Sequence, residues 1–135
     1  MKIVFDSNVY IAAFATHGVC HLLVEACLVD HSVYSSDFIL REVEEKLERK
    51  IKLPRRIVDE VIAYLHEQTT NYNPGIAHTR ISRDPDDDNI LRLAEETFSE
   101  YIVTGDKDLL VLGSHLKTKI VSPRDFADIL HSLEA

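Results

Sequence analysis

The sequence predicts an α/β protein in which a parallel sheet carries helices on both faces. Three observations lead there. Short, continuous β-prone runs alternate with helical-period stretches in the order βααβααβαβα, the connections are short, and no repeat or low-complexity block interrupts the 135 residues. Apolar residues make up 45% and charged residues 28%, enough to build one ordinary core across residues 1–135, read as a single domain, without disulfides or a structural metal.

Each element has its own justification. Lys2 to Asp6 is a short continuous β-prone run suited to a central strand buried on both faces. Asp6-Ser7-Asn8 supplies capping side chains ahead of a helix over Val9 to Phe14. Val19, Leu22, Leu23 and Ala26 recur at the helical period and predict a second helix ending near His31. Ser32 to Ser35 reads as a strand, and Ser36 or Asp37 caps a third helix with Leu40, Val43 and Leu47 inside. Pro54 suits the first position of a fourth helix striped by Ile57, Val58, Val61, Ile62 and Leu65, which Asn71 to Gly75 breaks. Ala77 to Ser82 is either a short edge strand or a connection. An acidic run then opens a helix with Ile90, Leu91, Leu93 and Ala94 inside, with Asp88 able to cap it at Asn89. Tyr101 to Thr104 is a strand, Leu109 to Leu112 a helical turn, Lys119 to Ser122 the last strand, and Pro123 starts the final helix.

Composition narrows the function. A net charge of −8 argues against binding nucleic acid by bulk charge alone. No apolar run approaches the roughly 20 residues that span a bilayer, and Met1 leads straight into the first strand with no leader pattern, so a cytoplasmic protein with no membrane association is expected. Cys20 and Cys27, seven residues apart on one predicted helix, would stand about 10 Å apart, beyond disulfide reach. They read as buried thiols, with His17, Cys20 and His21 weighed as a zinc site against ordinary surface histidines beside a core cysteine.

The informative pattern is acidic. Asp6 follows the first strand, Glu42 rides on the third helix one residue before an inward position, Asp87 lies within Asp84-Pro85-Asp86-Asp87-Asp88, and Asp106 follows Val103-Thr104-Gly105. Strand C-termini and adjacent helix starts line the ligand crevice of an open α/β sheet, so residues far apart in sequence can gather there. Capping explains Asp6 or Asp88 taken singly, at about 1 kcal/mol each. It does not explain four aspartates within five residues. Glu44, Glu45 and Glu48 alternate with Arg41, Lys46, Arg49 and Lys50 as a solvated face. A carboxylate cluster repels itself unless a cation neutralises it, and hard oxygen donors select Mg²⁺ or Mn²⁺.

These segments, in this order, resemble the motifs of the PIN domain: Asp6-Ser7-Asn8-Val9, the Ser36 to Leu47 helix holding Glu42, Asp84-Pro85-Asp86-Asp87-Asp88 leading to Leu91 and Ala94, and Val103-Thr104-Gly105-Asp106-Lys107-Asp108-Leu109-Leu110. The subgroup most resembled comprises toxin components of toxin–antitoxin systems related to VapC-type ribonucleases. The resemblance implies a PIN-like three-layer sandwich and a Mg²⁺- or Mn²⁺-dependent endoribonuclease. It carries the catalytic and metal-ligating roles onto Asp6, Glu42, Asp87 and Asp106, with Ser7, Asn8, Asp84, Asp88, Thr104 and Asp108 auxiliary. Ser7 stands where the family usually has threonine and keeps the hydroxyl; Asp87 is preferred to Asp88 because it keeps the family spacing to Ala94. The resemblance also implies an RNA substrate, an antitoxin partner and a homodimer.

Substrate contact must then come from local cations, and Lys46, Arg49, Lys50, Lys52, Arg55 and Arg56 form the densest stretch, with Arg80, Arg83, Lys107 and Lys117 scattered elsewhere. Tyr10, Tyr64 and Tyr72 offer stacking surfaces or core. Two rival readings exist. A phosphorelay receiver also combines an acidic Mg²⁺ pocket with a threonine and a lysine, yet Asp6 lacks the acidic neighbour that receivers carry. A catalytically silent PIN-like interaction module is disfavoured by the presence of all four acids.

Overall fold

The computed structural model describes residues 1–75 and 84–134. The first strand, β1 (Lys2–Phe5), lies at the centre, and Ile3, Val4 and Phe5 are all 0% exposed. Successive strand residues point to opposite faces, so this run requires cover on both sides. Helices α1 (Ser7–Ala15) and α2 (Val19–Asp30) lead to β2 (Ser32–Ser35), which lies parallel to β1. Helices α3 (Asp37–Arg49) and α4 (Arg55–Gln68) lead outward to β3 (Thr70–Asn71). The chain then returns through α5 (Pro85–Thr97) to β4 (Tyr101–Val103) on the other flank of β1. Helix α6 (Lys107–Leu112), β5 (Ser114–His115), β6 (Thr118–Val121) and α7 (Pro123–Glu134) complete it.

Among the described residues the sheet has the order β3-β2-β1-β4-β6-β5, parallel except for the β5–β6 pair. Connections run one way from β1 to β2 and the other way to β4, so the switch point falls between β1 and β4. A crevice opens at the carboxyl ends of strands at such a point. Helix α1 packs on α2 and α3, α3 on α4, α2 on α7, and α5 lies against β1, β2 and β4.

The amphipathic stripes do the packing. Ile39, Leu40, Val43 and Leu47 of α3 are buried, as are Val58, Val61 and Leu65 of α4 and Ile90, Leu91, Leu93 and Ala94 of α5. Tyr10 belongs to this core, edge-on to Phe5 at 5.7 Å, and Tyr64 packs against Phe14. Cys27 is buried and Cys20 half-buried, both as free thiols on α2. His17 and His21 meet edge to face at 5.2 Å, but among the described residues no three histidine, cysteine or acidic side chains converge as a ready-made metal shell, so Cys20 does not complete a zinc site with them.

Several local expectations shift. Asp84, not Asp88, caps α5, its carboxylate accepting the Asp86 N–H at 2.9 Å, with Pro85 at the first helical position. Pro54 occupies the cap position and α4 starts at Arg55. The stretch read as a breaker begins with Asn71, the second residue of β3, and β5 was not foreseen; strands of two residues are too short to show a period. The Ala77 to Ser82 reading, with Arg80, falls outside the described residues, as does Arg83. No single described helix is long and apolar enough to cross a membrane.

Ser36 caps α3: its hydroxyl accepts the Ile39 N–H at 3.2 Å and both residues are 0% exposed. Ser36→Ala leaves that donor buried without its acceptor, and thermal denaturation should show a loss of about 1 kcal/mol. An unchanged melting temperature would remove the cap from the account of this helix.

Candidate active site

The crevice at the β1–β4 switch point holds the acids. Asp6 leaves β1 hydrogen-bonded through its backbone N–H to the Val103 carbonyl at 3.0 Å, which ties the two strand ends together. Its side chain is 6% exposed and caps α1. One oxygen accepts the Ser7 N–H at 2.7 Å; the other accepts the Thr104 hydroxyl at 2.8 Å and the Asn8 amide at 3.1 Å. The Thr104 hydroxyl in turn accepts the Asp106 N–H at 3.0 Å, and Asn8 Oδ1 accepts the Gly105 N–H at 2.9 Å. The loop after β4 is thereby fastened to the start of α1 by side chains rather than by sheet pairing. Glu42 reaches the same place from α3, where its carboxylate accepts the Ser7 hydroxyl.

The fourth wall is the start of α5. Asp87 is 6% exposed and shares a hydrogen bond with Asp106. Two carboxyls can do so only with a proton between them. Burial, first, and then the charges of Asp106 and Asp84 push the Asp87 carboxyl up to about 7. Burial also holds Asp6 above the usual carboxylate range, against the pull of the Thr104 hydroxyl and Ser7 amide, with Glu42 and Asp106 adding to the rise. A site in which carboxylates are held together in their protonated direction is storing repulsion that a cation would release.

The cleft is about 400 Å³ and is lined by Asp6, Ser7, Asn8, Glu42, Asp87 and Asp106, together with Asp84 and Asp86. All four principal acids named from the sequence therefore line one cleft, although they come from positions up to 100 residues apart, and among the described residues no three of them stand close enough to form a closed metal shell as they are. Thr104 lies behind Asp6 as its donor. Asp88 is buried but is not on the cleft lining, and Asp108 does not line it either; its N–H caps back onto Asp106 at 2.9 Å. Asp86 on the wall was not singled out from the sequence, although its neighbour Asp87 was, because adjacent acids of one run cannot be told apart by facing until the helix start is known. The donor set consists of carboxylate, hydroxyl and amide oxygens, which fits a hard divalent cation rather than zinc or copper.

Comparison with known proteins identifies the fold and the family. The PIN domain family model matches residues 2–108, from β1 through the loop that carries Asp106. No curated protein matches the sequence. Among solved structures, a chain of VapBC2 from Rickettsia felis bound to a DNA fragment from its promoter superposes with a TM-score of 0.63 at 10% identity, covering 90% of this chain and 98% of that one. VapC20 of Mycobacterium tuberculosis, described as a toxin cleaving the sarcin–ricin loop, superposes with a TM-score of 0.61 at 14% identity, covering 87% and 98%. At such identities the likeness establishes the shared fold, and with the family match over four-fifths of its length the chain belongs to the PIN domain family.

Proposed function

We propose that the protein is a Mg²⁺- or Mn²⁺-dependent endoribonuclease acting at the Asp6, Glu42, Asp87 and Asp106 cleft. The supporting observation is the convergence of these acids, from four separate segments, around one crevice with Ser7, Asn8 and Thr104 bonded to them. A bound divalent cation supplies a deprotonated water near neutral pH and charge compensation on the phosphoryl and leaving oxygens. The chain's own part is to hold the donors still. Asp6 is fixed by three hydrogen bonds and Asp106 by the strap from Thr104, so both enter the reaction with little left to reorganise. Asp87 and Glu42 complete the ligand set or orient the attacking water. No histidine is needed as general base. The same reading makes the protein the toxin of a toxin–antitoxin pair, held inactive by an antitoxin and acting as a homodimer; VapBC and VapC chains share its fold.

The test is cleavage of a panel of structured and unpaired RNAs with Mg²⁺, Mn²⁺ or EDTA. Cutting with either metal that stops in EDTA is expected. Absence of cutting on every RNA by folded protein, with no metal-induced rise in melting temperature, would move the chain to the silent interaction module.

A further inference from the structure

Helix α3 presents a charge pattern that the four acids do not use. Glu42, Lys46 and Lys50 recur every four residues, about 6 Å per step along the helix axis, and all three line the cleft. Two other cations of this region are already engaged. Arg49 pairs with Glu45 at 3.3 Å, and Arg55 pairs with Glu44, Glu48 and Asp59 at 2.5–2.8 Å. Lys46 and Lys50 make no ion pair among the described residues, not even with Glu42 one turn away. The structure thus divides a cationic stretch that looks uniform in sequence: Arg49 and Arg55 are paired with acids, Lys52 and Arg56 are exposed away from the cleft, and Lys46 and Lys50 stand on the cleft wall.

The same cleft is lined by Ile11, Ala12 and Ala15 of α1, which packs on α3 and has no charged residue from Ser7 to Ala15. One end of the groove is therefore acidic, and the other has a cationic side and an apolar side. A polyanion would be repelled by the acidic end alone.

We infer that Lys46 and Lys50 hold successive phosphates of an unpaired RNA strand beside the scissile one, with its bases lying over the Ile11, Ala12 and Ala15 face of α1. The inference rests on the ribonuclease reading of the acids. An unpaired strand is specified because it can offer phosphates to one wall and bases to the other, whereas a duplex turns its bases inward. The lysines act as positioning residues: they anchor the strand and leave the reacting atoms to the carboxylates.

The test measures binding separately from cutting. In an Asp87→Asn background, binding of a labelled uridine oligomer of about 12 nucleotides is followed by fluorescence anisotropy over a range of salt. Lys46→Gln with Lys50→Gln is expected to weaken binding about tenfold and to reduce the slope of log K against log salt by about 1.4, or 0.7 per lost phosphate contact on a single strand. Lys46→Arg with Lys50→Arg restores both, and Arg49→Gln changes neither. With otherwise wild-type protein the double glutamine variant raises KM with kcat nearly unchanged. If the wild type cleaves RNA but affinity, slope and KM are all unmoved, the strand track is overturned and the nuclease stands. If the oligomer's affinity and salt slope fall as expected while no RNA is ever cut, the track stands and the nuclease reading fails. No binding of the oligomer without the lysine changes, or an equal loss for a blunt duplex, overturns the inference.

Discussion

Asp6→Asn is expected to lower metal-dependent RNA cleavage about 10³-fold in a protein that still folds. Removing an outer partner of a metal ligand typically costs about 10- to 100-fold, and a ligand carboxylate contributes its charge as well as its geometry. The native carboxylate accepts one hydrogen bond on one oxygen and two on the other. Asparagine has a single acceptor oxygen, so its amide must face either the Ser7 N–H or the Thr104 and Asn8 donors. That mismatch costs about 1–3 kcal/mol, less than a typical domain stability of about 5–15 kcal/mol. Cleavage within tenfold of wild type, measured on folded variant, would take Asp6 out of the catalytic set. Thr104→Val, which leaves the charge and removes one Asp6 donor and the Asp106 N–H acceptor, belongs in the smaller class of about 10- to 100-fold.

The fold was legible because its main signals are local. The run Lys2 to Phe5 and the stripe on α3 each satisfy one period, and the structure returns them as a central strand and a half-buried helix. What escaped was set by tertiary contact. The two residues of β3 are strand only because β2 stands beside them, and β5 exists by pairing with β6 across a two-residue turn. The acids were visible as strand-end and helix-start residues, but their meeting depends on the strand order, which places β4 rather than β2 on the side of β1 where Asp6 and Asp106 adjoin. Which acid of the Asp84 to Asp88 run faces the cleft follows from where α5 begins. Capping by Asp84 starts the helix four residues earlier than capping by Asp88 at Asn89 would allow, so Asp86 and Asp87 fall in its first turn, on the cleft wall. The lysines were seen only as part of a charged face. Their separation from Arg49 and Arg55 depends on acids contributed partly by α4, which no reading of α3 alone supplies.

Asp87→Asn is expected to make the metal-free protein more stable while abolishing cleavage. Asp87 is held up to about 7 in the folded state, against about 3.9 in an unfolded chain. Between those values the folded state binds the extra proton, so stability is fully present below about pH 4 and is lost as pH rises to 7, remaining low above it. Asp6, also raised, acts in the same direction. A full shift of that size would amount to a few kcal/mol at about 1.4 kcal/mol per unit, and after solvent screening at the open cleft and relaxation of the pair we expect about 2 kcal/mol at most to be recoverable. Asparagine keeps an N–H donor for Asp106 and carries no charge, so it reproduces the protonated form at every pH. In EDTA at pH 8 the variant should therefore melt about 5–10 °C above the wild type, and the difference should vanish near pH 4. Saturating Mg²⁺ should reverse the order, because the wild type gains a ligand-linked term that the variant loses. A melting temperature independent of pH in the wild type, or a variant less stable in EDTA at pH 8, would show that the cleft stores no such repulsion. The stabilised but inactive outcome ties the two halves of the argument together: the carboxylates sit together at the expense of the fold, and that expense is reasonable only where a cation is bound in use.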